Sequence, residues 1–195
     1  MTTALTTGMG GAAASQADRA STAADLFARY QRDVNRLVGH LLGPDPEHDD
    51  IVQDVFVRVI AKAQTMRDPA KERAWVVAVT VSVVRNQMRR RRVRRIVQLH
   101  ASPPEEIHVA EPRLVTRDLV RRGYRLLDKL AAVDRIVLIL RRVQERPVDE
   151  VAALCRCSKA TVKRRLRRAE AQLATLLAED PELYRHLGRG GQPHG

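Results

Sequence analysis

Pro147-Val-Asp-Glu-Val-Ala-Ala-Leu-Cys-Arg-Cys-Ser158, followed directly by Lys159-Ala-Thr-Val-Lys-Arg-Arg-Leu-Arg-Arg-Ala169, decides the fold. It reads as a helix-turn-helix. A short helix opens near Pro147, where a missing N–H costs least, with Asp149 and Glu150 in its first turn. Val148, Val151, Ala152 and Cys155 recur at helical spacing and share one face. A turn follows at Arg156-Cys157, and Ser158 is a good N-cap for a second helix. On that helix Val162, Leu166, Ala169, Leu173 and Leu176 make an apolar stripe. Lys163, Arg164, Arg167 and Arg168 occupy another face. A helix pinned on one side and cationic on the other suits a DNA major groove, where arginine is the usual reader of guanine. The same pattern also suits a solvated basic face on an ordinary core helix.

Composition points the same way. The 195 residues suffice for one medium or two small domains, and 44% of them are hydrophobic, with 3% aromatic, so the core is aliphatic. Lysine and arginine number 35 against 23 acids, a net charge of +12, which implies nucleic acid or an anionic membrane as partner. No apolar run reaches bilayer length, so membrane insertion is not expected. Met1 to Ala20 lacks the basic and apolar segments of a secretory signal, which implies a disordered tail over residues 1–22 and a cytoplasmic protein. Cys155 and Cys157 are too close to bridge without strain and too few to make a zinc site, so they read as small buried hydrophobes rather than redox or metal groups. No metal and no cofactor is expected.

Upstream, Thr22-Ala-Ala-Asp25 resembles a capping box opening a helix with Leu26, Tyr30, Val34, Leu37 and Leu41 on one stripe and Gly43 at its end. A second helix runs from about Glu47 to Gln64. Ile51, Val52, Val55, Phe56, Val59 and Ile60 form its buried face, and Asp50, Gln53, Asp54 and Val57 the opposite one. An acidic face on so basic a chain is either ordinary solvated surface or a docking site for a basic partner. Residues 66–71 read as a loop. Val77, Val79, Val81 and Val83 alternate like a strand. An isolated strand cannot satisfy its backbone, however, and the flanks suit a helix, so the stretch is read as helical. It ends in the basic run Arg89 to Arg95. Between residues 97 and 113 a Pro-rich, acidic linker follows. Two more helices, around 116–130 and 133–143, precede the helix-turn-helix. The expected architecture is all-α. Two small helical domains, 23–96 and 114–178, are joined by an extended linker, and a flexible tail covers 179–195.

These residues resemble a family, the extracytoplasmic-function sigma factors of bacterial RNA polymerase. Asp49-Asp-Ile-Val-Gln-Asp-Val-Phe-Val-Arg-Val59 is similar to the acidic helix of region 2, and Arg73-Ala-Trp75 running on to Arg89-Arg90 is similar to the helix after it. Leu138-Ile-Leu-Arg141, Asp149-Glu-Val-Ala152 and Ser158 to Ala169 are similar to region 4. The resemblance implies a factor that directs core polymerase to promoters and is not itself an enzyme. It implies that Asp50, Gln53 and Asp54 dock on the coiled coil of the polymerase clamp. It implies that Ser158, Lys159, Thr161, Lys163, Arg164, Arg167 and Arg168 read the upstream (−35) element as duplex. Arg73, Trp75, Arg85, Arg89, Arg90, Arg91 and Arg92 would bind the downstream (−10) element as it melts. Trp75 could stack a base or pack in the core, and Phe56 could face the polymerase or the core. An anti-sigma protein is implied as a further partner. The alternative is a stand-alone helix-turn-helix regulator, which needs no acidic docking face. Ser82 and Asn86 stand where the family often has Asn and Asp, and Ala131 replaces a frequent Pro. Glu145 and Arg156 occupy positions where Gly is common, and the expectation is that their turns avoid positive φ.

Overall fold

The structure, a computed structural model, describes residues 10–63, 68–97 and 112–189, with side chains within 23–63, 68, 70–94 and 117–186. Eight helices are described: α1 (Gly10–Leu42), α2 (His48–Lys62), α3 (Glu72–Val97), α4 (Pro112–Asp128), α5 (Ala132–Arg142), α6 (Val148–Cys155), α7 (Lys159–Ala178) and α8 (Pro181–Arg189). A 3-10 turn, Pro69–Lys71, leads into α3. No strand occurs among the described residues. The valine run is helical. Val76, Val77, Val81, Val83 and Val84 are all buried inside α3, and the buried Thr80 hydroxyl donates to the Val76 carbonyl at 2.9 Å.

α1, α2 and α3 pack on one another. The predicted stripe of α1 is where the sequence places it: Leu26, Val34, Leu37 and Leu41 are buried and Tyr30 packs against them. So is that of α2, except that Ile60 is 38% exposed near its C-terminal end. Phe56 belongs to the core at 4% exposure, its ring 4.8 Å from that of Phe27. Gly43 ends α1 with φ of 77°. A side chain there would collide with the Tyr124 ring as well as strain the backbone, so this glycine is required twice over.

Two boundaries differ from the sequence reading. α1 begins at Gly10, inside the stretch read as a disordered tail. Ala12, Ala13, Ala14 and Ala17 are strong helix formers, and they outweigh the capping signal at Thr22. Residues 1–9 lie outside the described residues, as do 64–67, at the expected end of the second helix and the start of the loop, and 98–111 in the expected linker. The stretch read as a flexible tail after residue 178 contains α8. Its Leu183 is 1% exposed, and Asp180 caps it by accepting from the Leu183 N–H at 3.1 Å.

The two halves also share a core. Ile136, Val137, Ile139, Leu140, Val151, Ala152, Leu154, Cys155 and Val162 join the same apolar cluster as α1, α2 and α3. The cause lies in α5, where every residue from Asp134 to Leu140 is buried. A helix apolar all round must be covered on more than one side. α7 covers it on one side, and α3 and α1 also pack on it. Polar contacts follow this seam. The Tyr124 hydroxyl donates to the Gly39 and His40 carbonyls, each at 3.2 Å. Arg135 donates to the Leu42 carbonyl at 3.1 Å, with its guanidinium 5.6 Å from the Tyr124 ring centre.

Candidate functional site

The cationic surface is built on α7. Ser158 N-caps it, its hydroxyl accepting from the Thr161 N–H at 3.1 Å, which fixes where the helix starts. Val162 and Ala169 are fully buried against the helices beneath. Ser158, Lys159, Lys163, Arg164 and Arg167 are exposed, and Thr161 half-buried, so the first two turns present a cationic, hydrogen-bonding face to solvent. Arg168 differs. Its Nε donates at 2.6 Å to Asp134, a carboxylate 1% exposed on α5. Arg165 donates to the other oxygen of the same group at 3.0 Å. Asp134 thus clamps α7 to α5, and Arg168 is engaged within the fold although 58% of its side chain is exposed. In sequence Asp134 looks like an ordinary acid in the first turn of a helix, and only its burial reveals the clamp.

Both turns of the unit carry positive φ. Arg156 has φ 51° and Glu145 φ 52°, contrary to the expectation that these positions had moved out of the left-handed region. At Arg156 the reason is the helix end. The Cys157 N–H bonds to the Ala152 carbonyl at 2.9 Å and the Arg156 N–H to Ala153 at 3.2 Å, the paired closure that needs one left-handed residue. The turn geometry is retained and a side chain is carried in a place suited to glycine.

Cys155 is buried in the core and Cys157 packs beside it, both as free thiols. Burial, with Cys157 adding to it, pushes the Cys155 thiol up to about 11. Among the described residues no group of histidines, cysteines and acids is placed to hold a metal.

The acidic face lies on α2. Asp49, Asp50, Gln53 and Asp54 are exposed, and Val57 beside them is 58% exposed. Arg58 lies 3.8 Å from Asp54 across one turn, a contact too loose and too wet to neutralise the face.

On α3 the expected residues divide. Arg89, Arg90 and Arg92 are exposed, and Arg85 is half-buried. Arg73 is exposed and pairs with Asp33 at 3.1 Å. Trp75 packs partly buried against the core. Arg91 turns inward. It donates to Asp45 at 2.8 Å and to Glu47 at 2.7 Å, tying α3 to the turn between α1 and α2. Burial alone would raise the Asp45 carboxyl, but hydrogen bonds from Arg91 and the Glu47 N–H outweigh it and hold it below its ordinary value. The Arg91 hydrogen bond lowers Glu47 as well.

The fold therefore defines a helical protein with an acidic face on its second helix and, in its C-terminal half, a helix-turn-helix whose second helix is cationic. Comparison with known proteins gives it a family. Sigma-70 region 2 matches residues 26–94 and Sigma-70 region 4 matches residues 124–173, together more than half the chain and in the family's order. The ECF RNA polymerase sigma factor SigX of Bacillus subtilis is 24% identical over 144 residues, covering 71% of this chain and 74% of its own. EcfG of Rhodopseudomonas palustris is 27% identical over 140 residues, 72% and 76% of the two chains. Among solved structures, CnrH in complex with the cytosolic domain of CnrY superposes with a TM-score of 0.58 at 24% identity, covering 84% and 95%. The sigma factor RpoE with the anti-sigma factor NepR from Bartonella quintana gives 0.58 at 23%, covering 79% and 95%. This chain belongs to the sigma-70 family of RNA polymerase sigma factors, in its extracytoplasmic-function group.

Proposed function

We propose that this chain binds core RNA polymerase through the acidic face of α2 and reads the upstream promoter element through the first turns of α7. The observation that carries this reading is the separation of charge. Asp50, Gln53 and Asp54 stay exposed on one half while Lys163, Arg164 and Arg167 stay exposed on the other, in a chain of net charge +12. A stand-alone regulator has use for the second face only. Ser158, Lys159 and Thr161 sit at the helix N-terminus, where backbone N–H groups and hydroxyls suit DNA phosphates, and Arg164 and Arg167 are the base-reading candidates.

The exposed arginines of α3, namely Arg89, Arg90 and Arg92, offer a path for the melted strand, with Arg73 and Arg85 at its edges. Trp75 serves that surface by packing beneath it rather than by stacking on a base. RNA synthesis itself belongs to the polymerase. The setting would be the cytoplasm, where that enzyme works. No described helix is long and apolar enough to cross a membrane. The structures of CnrH and RpoE hold CnrY and NepR respectively, and an inhibitory protein of that kind is the expected third partner here.

Asp54→Arg and Arg167→Ala test the two faces separately. The first should abolish association with purified core polymerase while leaving the circular dichroism spectrum unchanged. The second should leave that association intact and weaken promoter binding by about 1–3 kcal/mol if Arg167 meets a base edge. If Arg167 meets a phosphate instead, the loss should be similar for all sequences and the salt slope should fall by about 1. Undiminished polymerase binding by Asp54→Arg would leave the regulator reading in its place.

A further inference from the structure

The exposed stripe of α2 changes character halfway along. Its first two turns carry Asp50, Gln53 and Asp54. Two turns after Asp50, about 10 Å further on, the same stripe carries Val57, then Ile60 and Ala61. Val57 is 58% exposed and Ile60 38%. Phe27 of α1 extends this apolar end. It is 45% exposed, and its ring lies 4.8 Å from that of Phe56, the residue one turn before Ile60. Three of the seven large hydrophobic side chains left exposed among the described residues therefore stand around one end of one helix. Scattered singly they would be ordinary surface, but gathered beside an acidic face they mark an interaction surface. Charge alone does not make that face a stable interface. Exposed carboxylates steer a basic partner and fix its orientation, yet each adds little net affinity in water. Tight interfaces draw most of their energy from a few anchors desolvated at the centre, with polar groups at the rim.

We infer, resting on the polymerase-docking reading of Asp50, Gln53 and Asp54, that Val57, Ile60 and Phe27 are the anchor of that docking surface and the acids its steering rim. The partner surface is an α-helix, because Asp50, Asp54, Val57 and Ala61 recur at four- and three-residue spacing, the seam along which a second helix packs. That helix carries cations opposite Asp50 and Asp54 and aliphatic side chains about 10 Å further along, where they cover Val57, Ile60 and the Phe27 ring. The order of the two parts also sets its direction. A partner helix turned end for end would bring its cations onto Val57 and its aliphatic groups onto two carboxylates, so the wrong orientation is penalised at both ends.

Binding kinetics of the full-length protein on immobilised core polymerase separate the two roles. Val57→Ser and Phe27→Ala, on two different helices, should each raise the off-rate about tenfold and leave the on-rate within about twofold, at low and high salt alike. Asp54→Ala should instead lower the on-rate, and its defect should shrink as salt rises. Val93→Ser removes a similarly exposed valine on α3, 54% exposed, and should bind like the wild type. Circular dichroism melts check that each variant is folded at the binding temperature. A wild-type off-rate in Val57→Ser or in Phe27→Ala would overturn the anchor, while loss of binding in Asp54→Arg would leave the docking role of the acids standing. Undiminished binding by Asp54→Arg would sink that role instead, and the anchor would still stand or fall on the two off-rates. Self-association of the wild type that Val57→Ser removes, with core binding unchanged, would assign the patch to a second copy of this chain and overturn the anchor as well.

Discussion

Arg156 holds a left-handed backbone with a long, exposed side chain and no glycine to ease it. A non-glycine residue there costs about 1 kcal/mol. Because the side chain is exposed, replacing it removes little packing, and Arg156→Gly should raise stability by about that amount, read as a higher urea midpoint at unchanged m-value. An unchanged or lower midpoint would show that the strain is relieved elsewhere. Asp134 makes the opposite case. Its carboxylate is buried and serves two arginines, so Asp134→Ala should cost about 1–3 kcal/mol, since both partners lose a charged acceptor but keep access to water. It should also loosen α7 on α5, so promoter affinity should fall together with the unfolding midpoint. A stable variant with normal DNA binding would remove Asp134 from the account.

At the scale of elements, α7 and α8 show how a reading helix is held. α7 is long and buries only Val162 and Ala169 completely, so its position depends on what braces its two ends. Asp134 braces the front. At the back, Leu183 of α8 is buried, and Arg122 of α4 binds Asp180 at 2.5 Å and Glu182 at 2.6 Å. Leu183→Ala should therefore cost about 2–4 kcal/mol through the cavity it leaves, measured by thermal or urea unfolding. A chain ending at residue 179 should be destabilised similarly. Tolerance of both changes would mean that α8 does not brace α7. In sequence α8 is nine residues among glycines and polar groups, and a single buried leucine is too weak a periodic signal to reveal it. The α3 helix shows the converse: its valines alternate as in a strand, and the lack of any strand partner in the chain settles their reading.

Across the whole molecule, ion pairs tie the α1–α2 turn to α3, and their titration sets an acid limit. Asp45 and Glu47 both titrate below their ordinary values of 3.8 and 4.5 because Arg91 stabilises the ionised forms. The folded state thus holds these protons more weakly than the unfolded chain. Their contribution is fully present above the ordinary values and is lost as pH falls from those values through the lower folded-state ones. Unfolding midpoints should drop as pH falls below the ordinary values of 4.5 and 3.8, and Arg91→Met should flatten that drop while lowering stability at neutral pH. An unaltered acid profile in Arg91→Met would place the sensitivity on other carboxylates. The shared core adds a second molecular-scale feature, since α5 packs on α3 as well as α7, and the halves should unfold together rather than in two steps.

The amino-acid sequence by itself determined the all-α class, the helix-turn-helix with its Ser158 cap, and the two faces of opposite charge. Each follows from local spacing: 3.6-residue periodicity, capping chemistry, and charge confined to one side of a helix. Tertiary structure alone decided which arginines stay free. Arg89 and Arg91 are neighbours of one kind in one basic run, yet the first is exposed and the second is tied to Asp45 and Glu47 more than forty residues away. It also decided that the halves share a core and that Asp134 is buried, because burial depends on what another segment brings to a side chain, and spacing along the chain does not contain that.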